Sequence, residues 1–412
     1  MNDTRTCRSC GTPLTHTFAD LGLSPISNAF VKPEDLAHGE LFHPLHAFVC
    51  AQCWLVQLPD VARAETHFHE DYVYFSSFST SWLAHAKRYV ETIIPRFELN
   101  KSSRVVEIAS NDGYLLQYFV QAGIPCVGVE PTANTAAAAR KLGVESLELF
   151  FNRDTANQLV SEGGKVDLLL GNNVLAHVPD INEFVGGMPL VLKPEGAITL
   201  EFPHLLNLIE QTQFDTLYHE HYSYLSLTAL VPIFKRAGLR FFDVEHLPTH
   251  GGSLRVYACH QAASHTESPA VAECLEMESV AGLKNLQTYA DFGEKVRETK
   301  RALLDFLIQA KRAGKRIVAY GAAAKGNTLL NFCGIGTDFI DFVVDRNPIK
   351  QGQLLPGSRI PVRHPEAIFE ERADYVLILP WNIKDEVMQQ MADIRNWGGR
   401  FVVPIPSVEV ID

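Results

Sequence analysis

The run Arg104-Val105-Val106-Glu107-Ile108-Ala109-Ser110-Asn111-Asp112-Gly113-Tyr114 decides the fold. Its apolar start, residues 104–109, reads as a buried strand, and small and turn-forming residues break it. Residues 115–122 have helical spacing, and 126–130 read as a second strand. A helix over 133–142, stopped by Gly143, and strands at 166–170 and 197–202 continue the alternation. This βαβ rhythm predicts a parallel sheet with helices on both faces.

The turn points to a cofactor. It has fewer glycines than a G-x-G-x-x-G fingerprint, which speaks against a pyrophosphate lying on the helix end. S-adenosylmethionine (SAM) carries no phosphate and tolerates a tighter loop. Glu107, Ala109, Asn111, Asp112 and Gly113 are the loop candidates. Glu130 ends the next strand, where a carboxylate takes ribose hydroxyls, and Asn172-Asn173 follow the third strand at the ligand edge. The plainer alternative is a Rossmann-like fold with a degenerate loop.

Further along, residues 202–226 interrupt the rhythm and carry Tyr218-His219-Glu220-His221-Tyr222. Two imidazoles, a carboxylate and two phenols in five residues are costly to bury without a task. His219 and His221, at i and i+2, could share a strand face and bind metal. Alternatively, one is a general base with Glu220 to orient or tune it. The bland reading is a hydrogen-bonded cluster at a domain seam. Next come a helix over 228–237 and strands at 239–247 and 253–259. The turn Pro248-Thr249-His250-Gly251-Gly252 makes that pair antiparallel, and Arg255 on its second strand is a substrate-binding candidate.

From 262 to about 311 the pattern is a helical linker. A smaller α/β unit follows, with strands at 316–321, 339–345, 375–379 and 400–403. Its loop Gly321-Ala322-Ala323-Ala324-Lys325-Gly326-Asn327 opens a helix. Lys325 and Asn327 are the substrate candidates there, with Lys325 as a point charge on a diphosphate. An ordinary strand-to-helix turn is an equal reading.

At the other end, Cys7-Arg8-Ser9-Cys10 and Cys50-Ala51-Gln52-Cys53 sit in a loop-rich segment too poor in apolar area to fold alone. Four thiolates on two tight turns suit one closed, structural zinc; two redox pairs are the alternative. The organisation read from the sequence is therefore three-part. A zinc-binding module spans 1–66, a Rossmann-like SAM-dependent methyltransferase domain 67–262, and a linker helix with a Rossmann-like α/β domain 263–412.

Composition narrows the rest. The 412 residues carry 36 basic and 48 acidic side chains, a formal charge of −12. An acidic chain without a Lys/Arg stripe is a poor nucleic-acid binder. No apolar run approaches the roughly 18 residues of a membrane span, and the first residues lack a signal-peptide core, so the cytoplasm is the default.

Taken together, these motifs make the chain resemble the sugar C-methyltransferases that act on nucleotide-linked 4-keto-6-deoxysugars in bacterial deoxysugar pathways. The four cysteines, Ala109-Ser110-Asn111-Asp112-Gly113, Asn172-Asn173-Val174-Leu175-Ala176-His177, the Tyr218–Tyr222 block and Gly321–Asn327 carry the likeness. The resemblance implies a monomer that uses SAM to methylate C-3 of a dTDP-linked sugar, with the 263–412 unit as the holder of the nucleotide sugar. It implies His221 as the base, with Glu220, Tyr218, His177 and Tyr72 as further catalytic residues. His219 remains the rival base. Competing classes are an NAD-dependent nucleotide-sugar oxidoreductase or epimerase, and a small-molecule O- or N-methyltransferase.

Overall fold

A computed structural model of the chain describes residues 5–61 and 75–412. The N-terminal module is an antiparallel sheet begun by β1 (His16–Pro25), β2 (Phe42–Val49) and β3 (Val56–Gln57). The ten-residue β1 was hidden from a period-two reading. Its pairing with β2 shifts register between Thr17 and Ala19 and again between Asp20 and Leu23, so the buried positions do not alternate.

The central sheet follows the expected rhythm. β4 (Val105–Ile108), β5 (Cys126–Val129), β6 (Glu145–Leu147), β7 (Val166–Asn172) and β8 (Leu192–Pro203) pair in parallel in the order β8-β7-β4-β5-β6. Every residue of β4 is buried, which explains its unbroken apolar run. Two crossover helices lay outside the sequence reading: Arg153–Gly163, capped by Asn152, and Ile181–Val191, capped by Asp180. In the second, Gly186, Gly187 and Pro189 blur the helical period.

After β8 the chain supplies β9 (Ser223–Tyr224), which leaves the central sheet and pairs with β3, completing the module's four strands. β10 (Leu239–Leu247) and β11 (Ser253–His260) then form the expected antiparallel pair, and β11 also runs antiparallel to β8. The central sheet is thus mixed at this edge.

The linker is two helices, Pro269–Val280 and Leu286–Arg312. Phe292 of the longer one stacks on Phe18 of β1 at 4.4 Å, so the module and the linker share a core. The C-terminal sheet contains β12 (Ile317–Tyr320), β13 (Val343–Val344), β14 (Val362–Arg363), β15 (Tyr375–Ile378), β16 (Arg400–Val403) and β17 (Glu409–Ile411). Their order is β14-β13-β12-β15-β16-β17, parallel except for the last pair. β13 is shorter than the 339–345 expected, because the amides of Phe339 and Ile340 turn back onto the Gly336 carbonyl.

Candidate functional site

The loop after β4 is bent by three positive φ angles, at Ala109 (56°), Asn111 (50°) and Gly113 (77°). Two of these are non-glycine residues held in the left-handed region, the kind of local strain that clusters at ligand sites. Glu130 fixes the bend: one carboxylate oxygen accepts the Asn111 N–H at 2.9 Å, the other the Thr132 N–H at 2.9 Å. Ser76 N–H donates to Asn111 Oδ1 (2.9 Å) and Ser77 N–H to Asp112 Oδ2 (3.1 Å), so residues 75–79 close over the loop.

Several polar atoms in this loop have capacity to spare. Both oxygens of Glu107, Ser110 Oγ and Asp112 Oδ1 are buried and have no hydrogen-bond partner among the described residues. Burial pushes the Glu107 carboxyl well above the usual range, opposed by the Tyr114 hydroxyl. Burial also raises Glu130. Unspent buried carboxylates suit a ligand with cationic groups, and SAM carries a sulfonium and an ammonium. Asn172, at the end of β7, donates to the Tyr114 hydroxyl at 3.3 Å. Asn173 has φ 54° and lies 2.9 Å from His250 Nε2.

Beyond Asn173 lies a recess. His177, Tyr218, His221, His250 and Lys325 are each neither fully buried nor fully exposed. The His177 and His221 rings meet edge to face at 4.6 Å, and Tyr218 lies 4.0 Å from His221. His221 Nδ1–H donates to the Thr216 carbonyl at 3.0 Å, and His177 Nδ1–H to the Glu220 carbonyl at 2.8 Å. These bonds fix both tautomers and make Nε2 the basic nitrogen of each ring. Dense surroundings push His221 well below the ordinary imidazole range, with His177, Lys325 and His250 adding to the effect. His250 is driven down to about 4 by burial and by Lys325. Both rings are neutral at physiological pH.

The recess separates residues that the sequence had placed together. Residues 219–220 form a turn, closed by His221 N–H to the Tyr218 carbonyl at 2.8 Å. His219 and His221 therefore do not share a strand face. His219 packs on His43 and reaches the Pro44 carbonyl of the module. Glu220 also turns away from His221: its carboxylate accepts Asn28 Nδ2–H at 2.7 Å, and burial raises it to about 7. Thr216, not Glu220, orients His221. Arg255 spends its guanidinium on Glu201 (2.7 Å) and Glu245 (3.0 Å), bracing β10, β11 and β8 rather than facing the recess. Asn327 is buried in its helix, bonded to Asn331 at 3.2 Å. Tyr72 lies outside the described residues. A cavity of about 380 Å³ beside Arg96, Asp167 and His265 is at the amino end of the central sheet, away from these groups.

The four cysteines converge as expected. Their sulfurs lie within 4.8 Å of one another, with Cys7–Cys53 and Cys10–Cys50 both at 3.5 Å. A tetrahedron of Zn–S bonds near 2.3 Å needs sulfur separations of about 3.8 Å, so the cage fits zinc. The two turns match. Gly11 and Trp54 donate to the carbonyls of Cys7 and Cys50, both at 2.9 Å and both with positive φ. Gln57 Nε2–H donates to Cys7 Sγ at 3.1 Å while its backbone pairs with Ser223 in β9. Arg8 lies over the Tyr222 ring. The metal cage thus braces the strand that follows the histidine block.

Three family models tile the chain: "Putative zinc binding domain" over residues 7–68, "Methyltransferase domain" over 82–244, and "C-methyltransferase C-terminal domain" over 248–406. The C-methyltransferase NovU of Streptomyces niveus is 37% identical over 405 residues, covering 98% of this chain and 96% of that protein. The chain belongs to the C-methyltransferase family.

It is a SAM-dependent C-methyltransferase with an N-terminal zinc-binding domain. A ubiquinone biosynthesis O-methyltransferase of Rhodopseudomonas palustris (strain BisA53) is 28% identical over 97 residues, 24% of this chain and 38% of that protein. The magnesium protoporphyrin IX methyltransferase ChlM of Synechocystis PCC 6803, solved with bound SAM, covers 44% of this chain and 81% of its own at 14% identity and a TM-score of 0.33. That likeness is too slight to build on. Among the described residues no helix is long and apolar enough to cross a membrane.

The structure of this C-methyltransferase also brings to the recess positions that the sequence reading passed over. His250 has φ 54°, and a Cβ on Gly251 would come within 2.5 Å of Trp381, one on Gly252 within 2.4 Å of Asn207. Two glycines after a histidine at the ligand edge were the readable signal. Asp215, fully buried and raised to about 6, accepts the Trp381 indole N–H at 2.7 Å across the two α/β units. Nothing local to Asp215 announces that contact.

Proposed function

We propose that this C-methyltransferase methylates C-3 of a nucleotide-linked 4-keto-6-deoxysugar, with dTDP as the nucleotide, through an enolate formed by His221. One observation carries the reading: a neutral imidazole of fixed tautomer sits among His177, Tyr218 and Lys325, beside the Asn173–His250 edge of the cofactor loop. A hydrogen next to a ketone is removed readily only if the enolate oxygen is stabilised. His221 Nε2 takes the C-3 proton, and the C–H electrons form the C-3–C-4 double bond while charge moves to the ketone oxygen. SAM, when bound, supplies the electrophilic methyl group. Glu107, Asp112, Glu130 and Asn172 are the side chains proposed to hold it. His177 and Tyr218 line the sugar site, and the nucleotide lies toward the C-terminal unit, where its binding energy positions the ring.

On this reading the enzyme works as a monomer in the cytoplasm, with SAM and one structural zinc. The test is incubation of purified enzyme with SAM and a panel of 4-keto nucleotide sugars, read by mass. Gain of one methyl on carbon supports the reading. Turnover only with NAD, or methyl transfer to oxygen or nitrogen, overturns it.

A further inference from the structure

Lys325 was expected on a diphosphate, yet its surroundings fit another task. The Ala322 N–H that would open a phosphate cradle at this loop already donates to Asp345 Oδ2 at 2.8 Å, and Lys350 Nζ closes the other side on the Ala322 carbonyl at 2.8 Å. An anion placed there would meet the Asp345 carboxylate. The Lys325 ammonium is engaged elsewhere. It donates to Asn382 Oδ1 at 2.7 Å and sits 4.7 Å from the Trp381 ring centre. Trp381 is in turn tied to Asp215. In the next turn of the same helix, Thr328 Oγ1 donates to the Leu217 carbonyl at 3.0 Å, fixing the helix against the residue before Tyr218. Lys325 is thereby held by both α/β units at the seam where His221 and His250 lie, and its charge is felt by both rings.

We propose that the Lys325 ammonium stabilises the enolate oxygen in the proton transfer to His221, held in place by Asn382 and Trp381, rather than binding the nucleotide phosphates. This rests on the enolate reading above. The step balances within the site: the C-3–H bond breaks, His221 Nε2 gains the proton, and the electron pair ends as negative charge on the ketone oxygen beside Lys325. It also explains an otherwise awkward feature. A histidine held far below its ordinary range is a poor base, and Lys325 contributes to that depression. As negative charge grows on the oxygen, it cancels the ammonium's field at His221. The proton affinity of the base therefore rises along the reaction. Burial weakens the charge on Lys325, but Asp215 opposes that loss.

The experiment uses the full-length zinc-loaded enzyme and three probes: dTDP, S-adenosylhomocysteine, and dTDP-4-keto-6-deoxyglucose in deuterated water. With S-adenosylhomocysteine in place of SAM, enolate formation is read as deuterium entering C-3. Lys325→Met is expected to keep dTDP and S-adenosylhomocysteine affinities within about threefold and to slow exchange at saturation by roughly 10²–10³-fold, the usual cost of losing an oxyanion donor. Asn382→Ala, which only loosens the ammonium, is expected to slow exchange by a smaller factor with dTDP affinity unchanged. It stands as the test if Lys325→Met fails to bind S-adenosylhomocysteine. Loss of dTDP affinity by tenfold or more with exchange at saturation retained overturns the proposal and returns Lys325 to the phosphates. Unchanged exchange in both variants overturns it as well. Absence of exchange in the wild-type enzyme with every 4-keto sugar tested is a different failure, that of the enolate reading itself.

Discussion

The first crossover loops of the two parallel sheets begin alike and end differently. Val105–Ile108 and Ile317–Tyr320 are both fully buried four-residue strands that break into small residues and a helix. After β4, Glu107 and Asp112 keep buried carboxylate oxygens with no partner among the described residues. After β12, Asp345 takes the place of Glu130, accepting the amides of Ala322 and Asn347, both at 2.8 Å, as Glu130 accepts those of Asn111 and Thr132. But this loop has no buried carboxylate oxygen without a partner among the described residues. The first loop is left wanting positive charge and suits a cationic cofactor. The second has no such carboxylate and carries a cation instead, Lys325, held by Asn382 and Trp381. Two similar folds thus present different side chains at the same turn, and hydrogen-bond accounting distinguishes them where topology does not.

The largest expected effect concerns what holds the recess together. Metal analysis should find about one zinc per chain, and a structural site of this kind contributes on the order of 10 kcal/mol to folding. Stripping it should disorder the module, release β9 through Gln57, and abolish turnover. Well-folded, active protein without metal would sink the claim. Next in size, His221→Ala should cost roughly 10²–10⁴-fold in turnover, and His219→Ala, which faces Pro44, less than tenfold. Equal losses would mean that the recess does not divide the two rings.

Glu220 tests the idea that burial makes a carboxylate take up a proton even when it accepts a hydrogen bond, here from Asn28. Its folded value of about 7 lies above the 4.5 of a free glutamate, so the folded chain holds the extra proton. The resulting stability is fully present below pH 4.5 and is lost as pH rises through about 7, amounting to at most about 3 kcal/mol. Thermal melts of wild type and Glu220→Gln should therefore diverge from pH 5 to 8, the wild type falling relative to the variant; parallel curves would refute the buried-acid account. The smallest effect separates the two loops directly. Glu130→Ala should weaken SAM binding by roughly tenfold, about 1.4 kcal/mol. Asp345→Ala should leave it within twofold, and a similar loss in both variants would erase the contrast.

Much of this was legible in the sequence because the signals are local. The apolar run before Asn111-Asp112-Gly113, the antiparallel pair around Pro248–Gly252 and the paired cysteines each depend on neighbours within a few residues. What escaped depends on direction. The spacing of His219 and His221 suggested one strand face, but a turn at 219–220 splits them. Glu220 stood beside His221 in sequence, yet its carboxylate reaches Asn28, 192 residues away. Arg255 looked available until Glu201 and Glu245 claimed it. Asp215 and Trp381 meet only because the two α/β units touch, and no local pattern encodes that.

The central claim is that His221 removes the C-3 proton in a recess shared by both α/β units. Hydrogen exchange at C-3 tests it most directly, with a dTDP-linked 4-keto-6-deoxysugar in deuterated water and S-adenosylhomocysteine in the cofactor loop. The account predicts deuterium at C-3 with wild type and with His219→Ala, and none above background with His221→Ala. Exchange at the wild-type rate in the His221 variant would contradict it and pass the role to His177, Tyr218 or His219.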